Sequence, residues 1–219
     1  MNDDPDVYPG TFILRNRLGI TDRDTLDRVE RRLVVQRTRQ GIPTGDFDLT
    51  HLKAIHRHLF QDLYAWAGEV RTVEIAKGGS GFMPCRFIEN GMYDVHRRIL
   101  ENGHFLGLSP ADFAVAAATV LGDVNHVHPF REGNGRTQLH YLKQFATRAG
   151  HQLNLRKLDP AGWIHASIVA NRGEYGAMAC ASPKLSQRAA GSRADDGVGR
   201  MRRASLRVAV RTCRTDYST

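Results

Sequence analysis

A chain of 219 residues with a formal charge of +8 can hold one domain with its own core, since about 150 residues already bury most of the surface an unfolded chain exposes. Nine Lys and Arg face three Asp from Pro183 to Thr219, so +6 of the +8 lies there and residues 1–182 are nearly neutral. This distribution argues against a nucleic-acid surface on the domain itself and leaves such contact to the basic tail. The acidic start MNDDPDVYPG and a longest largely apolar run of nine residues, 113–121, predict neither a secretion signal nor a membrane span. Three scattered cysteines, Cys85, Cys180 and Cys213, predict no disulfide framework and fit a reducing cytoplasm.

In chain order, the first periodic segment is DTLDRVERRLVVQRTRQGIP. Leu26, Val29, Leu33 and Val34 share one face, and Gly41 and Pro43 stop the helix. DLTHLKAIHRHLFQDLYAWAGEV follows with Leu49, Leu52, Ile55, Leu59 and Leu63 at spacings of three and four, predicting a second amphipathic helix that ends near Gly68. β-Branched residues at 70, 72, 73 and 75 then run into Gly-Gly-Ser-Gly and Phe82, which reads as a β-hairpin or flap. Helical patterning resumes in MYDVHRRILENGH. In SPADFAVAAATVLGDVNHV, Ser109 is the expected N-cap and Pro110 the first helical residue; apolar on most sides, this helix is the expected buried centre. It should stop near His128, because Pro129 disfavours the helical region for the residue before it. GRTQLHYLKQFATRAG places Leu139, Leu142 and Phe145 or Ala146 on a further helix ending at Gly150, and Asp159 and Pro160 cap a last one in AGWIHASIVANRG. The tail from residue 183, rich in Ser, Gly, Arg and Ala, is predicted to be disordered.

The chemistry concentrates in HPFREGNGR, residues 128–136, between two helices. Glycines there let successive N–H groups converge into a nest at the positive end of the following helix, a site suited to phosphate. Arg136 adds a planar fork of donors and Asn134 an amide. Glu132 beside such a nest is most simply reconciled with a Mg2+ ion bridging carboxylate and phosphates. His128 is the one group in the stretch that takes a proton near neutral pH without large tuning. Base, metal ligand, nest and clamp together point to phosphate-transfer chemistry on a nucleotide. His56, His58, His126, His128 and His140 fall into no HExxH or Cys/His pattern, so no dedicated zinc site is predicted. Trp66 and Trp163 read as core residues.

These residues resemble the signature HxFx(D/E)GNGRxxR of the Fic family: His128, Phe130, Glu132, Gly133, Asn134, Gly135 and Arg136 fill seven of its eight fixed positions. YPGTFILRNRLGI, LYAWAGEVRTVEIAKGG and AGWIHASIVANRGEYGAM are also similar to segments of bacterial Fic toxins, so the likeness covers residues 8–180. The resemblance implies a mainly helical Fic domain over residues 1–182, a bundle around a central buried helix with an inserted β-hairpin flap. It further implies a protein adenylyltransferase that moves AMP from ATP to a hydroxyl of a target protein. His128 would be the base, Glu132 the Mg2+ ligand, and Gly133, Asn134, Gly135 and Arg136 the phosphate site, with Phe130 pinning the loop into the core. Val73, Glu74, Ile75, Ala76 and Lys77 of the flap would position the target by strand addition.

The last motif position is Leu139 instead of arginine, which removes an expected phosphate contact and leaves the nucleotide donor open. The family's inhibitory pattern (S/T)xxxE(G/N) is not met, since Cys85 stands four residues before Glu89-Asn90 and Arg97 four before Glu101-Asn102. That is similar to Fic toxins whose inhibitor is a separate small antitoxin and whose targets are type II topoisomerase subunits. Two alternatives stand beside this reading: transfer of another phosphate-containing group, as in the related Doc branch, and an inactive Fic-fold binding protein.

Overall fold

Helix α1 (Arg23–Arg39) starts where Asp22 accepts from the N–H of Thr25 at 2.9 Å. In the same way Asp48 accepts from His51 N at 2.7 Å ahead of α2 (Leu49–Phe60). Each cap satisfies a donor that the helix cannot, and each carboxylate sits at the positive end of the dipole. The computed structural model describes residues 4–77, 80–153 and 185–187. A short hairpin follows, β1 (Ala76–Lys77) antiparallel to β2 (Ser80–Gly81). The chain then enters α3 (Ile88–Glu101) through a 3-10 turn at Cys85–Phe87. Helix α4 (Pro110–Val127) is capped by Ser109 and has Pro110 in its first turn, as the sequence predicts. Helix α5 (Asn134–Arg148) follows the motif loop, and β3 (His151–Leu153) pairs antiparallel with β4 (Leu185–Gln187).

The bundle is built around α4, which packs against both α3 and α5, while α2 packs against α1 and α5. Phe113, Leu121 and Val124 on α4 are fully buried, together with Phe145 of α5, Met92 of α3 and Leu59 of α2. A helix apolar on most sides has this central place open to it and no stable place at the surface. The mainly helical architecture with an inserted hairpin is therefore the one expected from the sequence. No helix among the described residues is long and apolar enough to cross a membrane.

Four boundaries differ from the sequence reading. Helix α2 ends at Phe60 rather than near Gly68, and Leu63 reaches the core from the turn that follows. The hairpin is shorter than the β-branched run suggests: Val73, Glu74 and Ile75 lie before β1, and among the described residues the only further ladder-like bond is Phe82 N to Ile75 O at 3.2 Å. Its physical reason is that residues 70–75 have no neighbouring strand among the described residues; Arg71 N instead donates to Pro129 O at 2.8 Å. Helix α3 starts earlier than its apolar pattern, at Ile88. Strand β4 falls within the segment whose composition predicts a disordered tail. The expected helix at 161–173, with Trp163, and the tail beyond residue 187 lie outside the described residues.

Candidate active site

Helix α4 ends at His128, and the ending is unusual. The residue takes φ 45°, ψ 63°, so Pro129 keeps it out of the right-handed helical region as expected, yet it enters the left-handed region instead of the extended one. A non-glycine side chain there costs about 1–3 kcal/mol, a strain that surrounding contacts must hold. Those contacts are present. His128 Nδ1 lies 3.1 Å from Asn125 O. A carbonyl can only accept, so Nδ1 carries the hydrogen and Nε2 keeps its lone pair. The Phe82 ring from the flap stacks on the imidazole, centroids 3.7 Å apart and planes 15° apart. Burial pushes the His128 pKa down to about 4; the Asn125 carbonyl pulls the other way, while Arg71 and Lys77 lower it further. At neutral pH the ring is an uncharged base with its acceptor nitrogen fixed in place.

Arg71 sets the carbonyl of His128. Its guanidinium is fully buried, and Nε donates to His128 O at 2.8 Å, Nη1 to Val73 O at 3.0 Å, and Nη2 to Val127 O at 3.3 Å and to Met83 O. The positive fork therefore closes the carbonyl end of α4, where the dipole is negative, and ties both arms of the flap to it. Glu74 at 3.5 Å is an exposed partner for Arg71, and its Oε1 also accepts from Cys85 N at 3.0 Å. Both interactions hold the Glu74 carboxyl below its usual pKa, the Cys85 hydrogen bond more strongly than Arg71. Sequence reasoning missed Arg71 and Phe82.

The loop itself is pinned from below. Phe130 is fully buried and stacks on His56 at 3.9 Å. His56 Nδ1 accepts from Gly68 N at 2.8 Å, so its Nε2–H donates to Glu132 O at 3.0 Å; burial lowers its pKa to about 4. The amide of Asn134 is spent on the same loop, with Oδ1 accepting from Phe130 N at 2.9 Å and Nδ2 donating to Phe130 O at 2.7 Å. The sequence suggests a phosphate donor at that amide; its two hydrogen bonds here are to the loop backbone. Arg131 ties the loop to the N-terminal segment through Asp4 and, at 3.8 Å, Asp6. Among the described residues the other histidines join no metal-binding group. His58 Nε2 contacts Arg37 O at 2.8 Å and His140 Nε2 contacts Thr38 Oγ1 at 3.4 Å, on the α1 side.

The loop then delivers an open helix start. Gly133 adopts φ 82° and serves as N-cap of α5 with no side-chain cap. A Cβ there would stand 2.5 Å from the Phe60 ring, whereas a Cβ at Gly135 meets nothing within 4 Å. The first turn of α5 therefore presents uncapped N–H groups toward open space, the geometry that receives an anion. Glu132 is exposed; its Oε1 accepts from Gly133 N at 2.9 Å and from Arg136 at 3.3 Å. No group of three His, Cys, Asp or Glu that could cage a metal occurs among the described residues. One accessible carboxylate beside an uncapped helix start is a donor set of the kind Mg2+ takes, since that ion uses one or two carboxylates and fills its other positions with phosphate or water oxygens.

Arg136 points to the α1 side of this nest. It pairs with Glu30 as well as Glu132, and its guanidinium lies 4.7 Å over the Phe60 ring. Glu30 is buried and also accepts from Tyr64 OH; burial and this carboxylate push the tyrosine pKa up. Leu139, one turn further along α5, packs against the core cluster. Of the expected flap residues, Ala76 and Lys77 are exposed on β1, Glu74 is exposed below it, and Val73 and Ile75 are half-buried.

Residues 46–146 match the Fic/DOC family model. The chain is 38% identical over 178 residues to "Probable protein adenylyltransferase y4lH" of Sinorhizobium fredii, covering 81% of this chain and 93% of that protein. It is 33% identical over 177 residues to "Probable protein adenylyltransferase Fic" of Escherichia coli, covering 80% and 88%. The fold superposes with a TM-score of 0.77 on BepC, a VirB-translocated effector of Bartonella tribocorum with bound AMPPNP, at 25% identity over 84% of this chain and 97% of that one. With the family model matched over residues 46–146 and relatives matched along four-fifths of its length, the chain belongs to the Fic/DOC family.

Proposed function

We propose that the chain transfers AMP from ATP to a hydroxyl side chain of a protein target. The observation that carries this reading is the His128 imidazole, neutral and with Nε2 unprotonated, fixed by Asn125 beside the uncapped first turn of α5. Nε2 takes the proton of the target hydroxyl as its oxygen attacks the α-phosphorus, and the bond from that phosphorus to the β-phosphate bridging oxygen breaks. Pyrophosphate leaves with the electron pair. The backbone N–H groups at 133–135 hold phosphate oxygens, that of Gly133 once it leaves Glu132 Oε1; Arg136 offsets leaving-group charge, and Asn134 keeps the nest in shape through Phe130. Mg2+ held by Glu132 would supply charge neutralisation between the phosphates. The exposed strand β1, with Ala76 and Lys77, offers backbone to an extended target segment, and residues 73–75 set its height above His128.

Relatives named protein adenylyltransferases and a neighbour holding an ATP analogue support this reading. We further propose that the protein works in the cytoplasm as the toxin of a toxin-antitoxin pair, with a small antitoxin as inhibitor and a type II topoisomerase subunit as target. The missing (S/T)xxxE(G/N) pattern supports a separate inhibitor. Domain limits of 1–182 with a basic tail at 183–219 belong to the same proposal. Incubation with Mg2+, bacterial lysate and either α- or γ-labelled ATP tests the reaction. Label retained on a protein from α-labelled ATP alone is expected; retention from γ-labelled ATP alone would establish the Doc-like phosphotransfer, and retention from neither an inactive binding protein.

A further inference from the structure

A cavity of about 510 Å³ lies between the end of α1, the loop at 40–47 and the second half of α5, and no residue of the motif at 128–136 or of the flap lines it. Its loop wall is fixed by contacts of its own. Phe47 takes φ 64°, a conformation that is costly for an aromatic residue. Its N–H donates to His51 Nδ1 at 3.2 Å, Tyr141 OH donates to its carbonyl at 2.7 Å, and its ring meets Phe145 edge-on with centroids 5.5 Å apart. Pro43 O accepts from Gln144 Nε2 at 2.9 Å, which ties the same loop to α5. A wall held in this way needs little ordering when a ligand arrives.

The opposite wall is one face of α5, where His140, Lys143, Gln144 and Thr147 recur at spacings of three and four. Lys143 and, further along the helix, Arg148 are exposed lining residues that make no ion pair or side-chain hydrogen bond among the described residues. Asp46 is the one acid in the lining and pairs with neither cation. Burial lowers the pKa of His104 and of His140; Arg148 lowers the first further while Asp46 pulls the other way, and Lys143 lowers the second. Both histidines are therefore uncharged at neutral pH, and the two cations outweigh Asp46. His104, at φ 55°, has a buried Nδ1 with no hydrogen-bond partner among the described residues. Strained residues and unsatisfied polar atoms concentrate where ligands bind. On the loop side Ile42 and Phe47 supply apolar surface.

We propose that this cavity binds a small organic anion, a phosphate ester or carboxylate carried on an aromatic or aliphatic body, with Lys143 and Arg148 holding the anionic group and Ile42 and Phe47 packing against the body. A bare anion would satisfy only the two cations, and a neutral hydrocarbon only the loop side. The lining therefore selects a ligand that carries both parts. Charge-assisted hydrogen bonds from the ammonium and the guanidinium orient the anionic group. The site is separate from the anion nest at the other end of α5, so it stands or falls independently of the proposed reaction.

The test is an amide NMR titration of the full chain with phenyl phosphate, phenylacetate, inorganic phosphate and benzylamine. Saturable shifts at Gly41, Gly45, Lys143 and Thr147 are expected with the two aromatic anions, and the tighter of them identifies the anionic group. Inorganic phosphate, without the apolar body, should bind there about tenfold more weakly than phenyl phosphate, and benzylamine should not bind. The Lys143→Gln/Arg148→Gln variant should weaken both aromatic anions by about tenfold or more. Arg32→Gln, an exposed change on α1 outside the lining, should leave them unchanged. Because Lys143 and Arg148 are exposed, circular dichroism of the double variant should match wild type. Shifts confined to residues 133–136, no saturable shift with either aromatic anion, affinities unchanged in the double variant, or benzylamine binding as tightly as phenyl phosphate would each overturn the site. A chain that transfers AMP yet fails this titration loses this site alone, and one that binds the aromatic anions here without transferring label keeps it.

Discussion

At the scale of single residues, two contacts keep His128 neutral and aimed. Phe82 covers its ring and Asn125 fixes its tautomer. Truncating Phe82 to Ala uncovers one face of the imidazole and reduces the burial that lowers its pKa. An NMR titration of the His128 ring should then move from about 4 toward the ordinary value of about 6.5, and Phe82→Tyr should restore most of the shift. A Phe82→Ala ring that still titrates near the wild-type value would contradict the stacking role. Gly133 is the second sensitive position. Gly133→Ala sets a Cβ 2.5 Å from the Phe60 ring at φ +82°. A loss of about 2–4 kcal/mol in urea unfolding is expected, from overpacking and left-handed strain together.

At the next scale stand the helices and the flap. Arg71 is the bolt between them, and replacing it with Met leaves the carbonyls of Val73, Met83, Val127 and His128 without that donor. At about 1–3 kcal/mol for each buried acceptor left unsatisfied, a stability loss of at least about 2 kcal/mol is expected. Arg71→Lys should recover only part of it, because an ammonium cannot reach carbonyls on both sides of the flap at once. Denaturant midpoints of the three proteins check this. The motif was legible in the sequence because its residues are contiguous, so spacing alone put His128, Glu132, Asn134 and Arg136 on one loop. Arg71 and Phe82 meet residues more than 40 positions away in contacts that leave no local period. Glu30 was legible in principle, since position 30 is four from both Leu26 and Val34 on the apolar stripe, which makes a buried acid there a sign of a buried partner. The end of α2 was not, because Leu63 keeps helical spacing after the helix has stopped and still reaches the core.

For the whole molecule, buried neutral histidines couple stability to pH. His56 and His128 bind a proton only near pH 4 when folded, whereas an unfolded histidine does so near 6.5. Between those values the unfolded chain holds more protons, so acidification favours unfolding by roughly 1.4 kcal/mol per pH unit for each group. Stability from this source is complete above about pH 6.5 and is lost as pH falls toward 4. Denaturation midpoints should therefore drop steeply from pH 7 to 5, and less steeply in His128→Ala, which removes one of the two groups. A pH-independent midpoint over that interval would contradict the burial of both rings.

The most direct test of the central claim compares wild type with His128→Ala in Mg2+, α-labelled ATP and bacterial lysate, following label on protein by gel. Loss of a positioned general base should lower transfer at least about a hundredfold, with circular dichroism unchanged. Transfer at the wild-type rate in the folded variant would show that His128 is not the base and that the reaction is organised elsewhere.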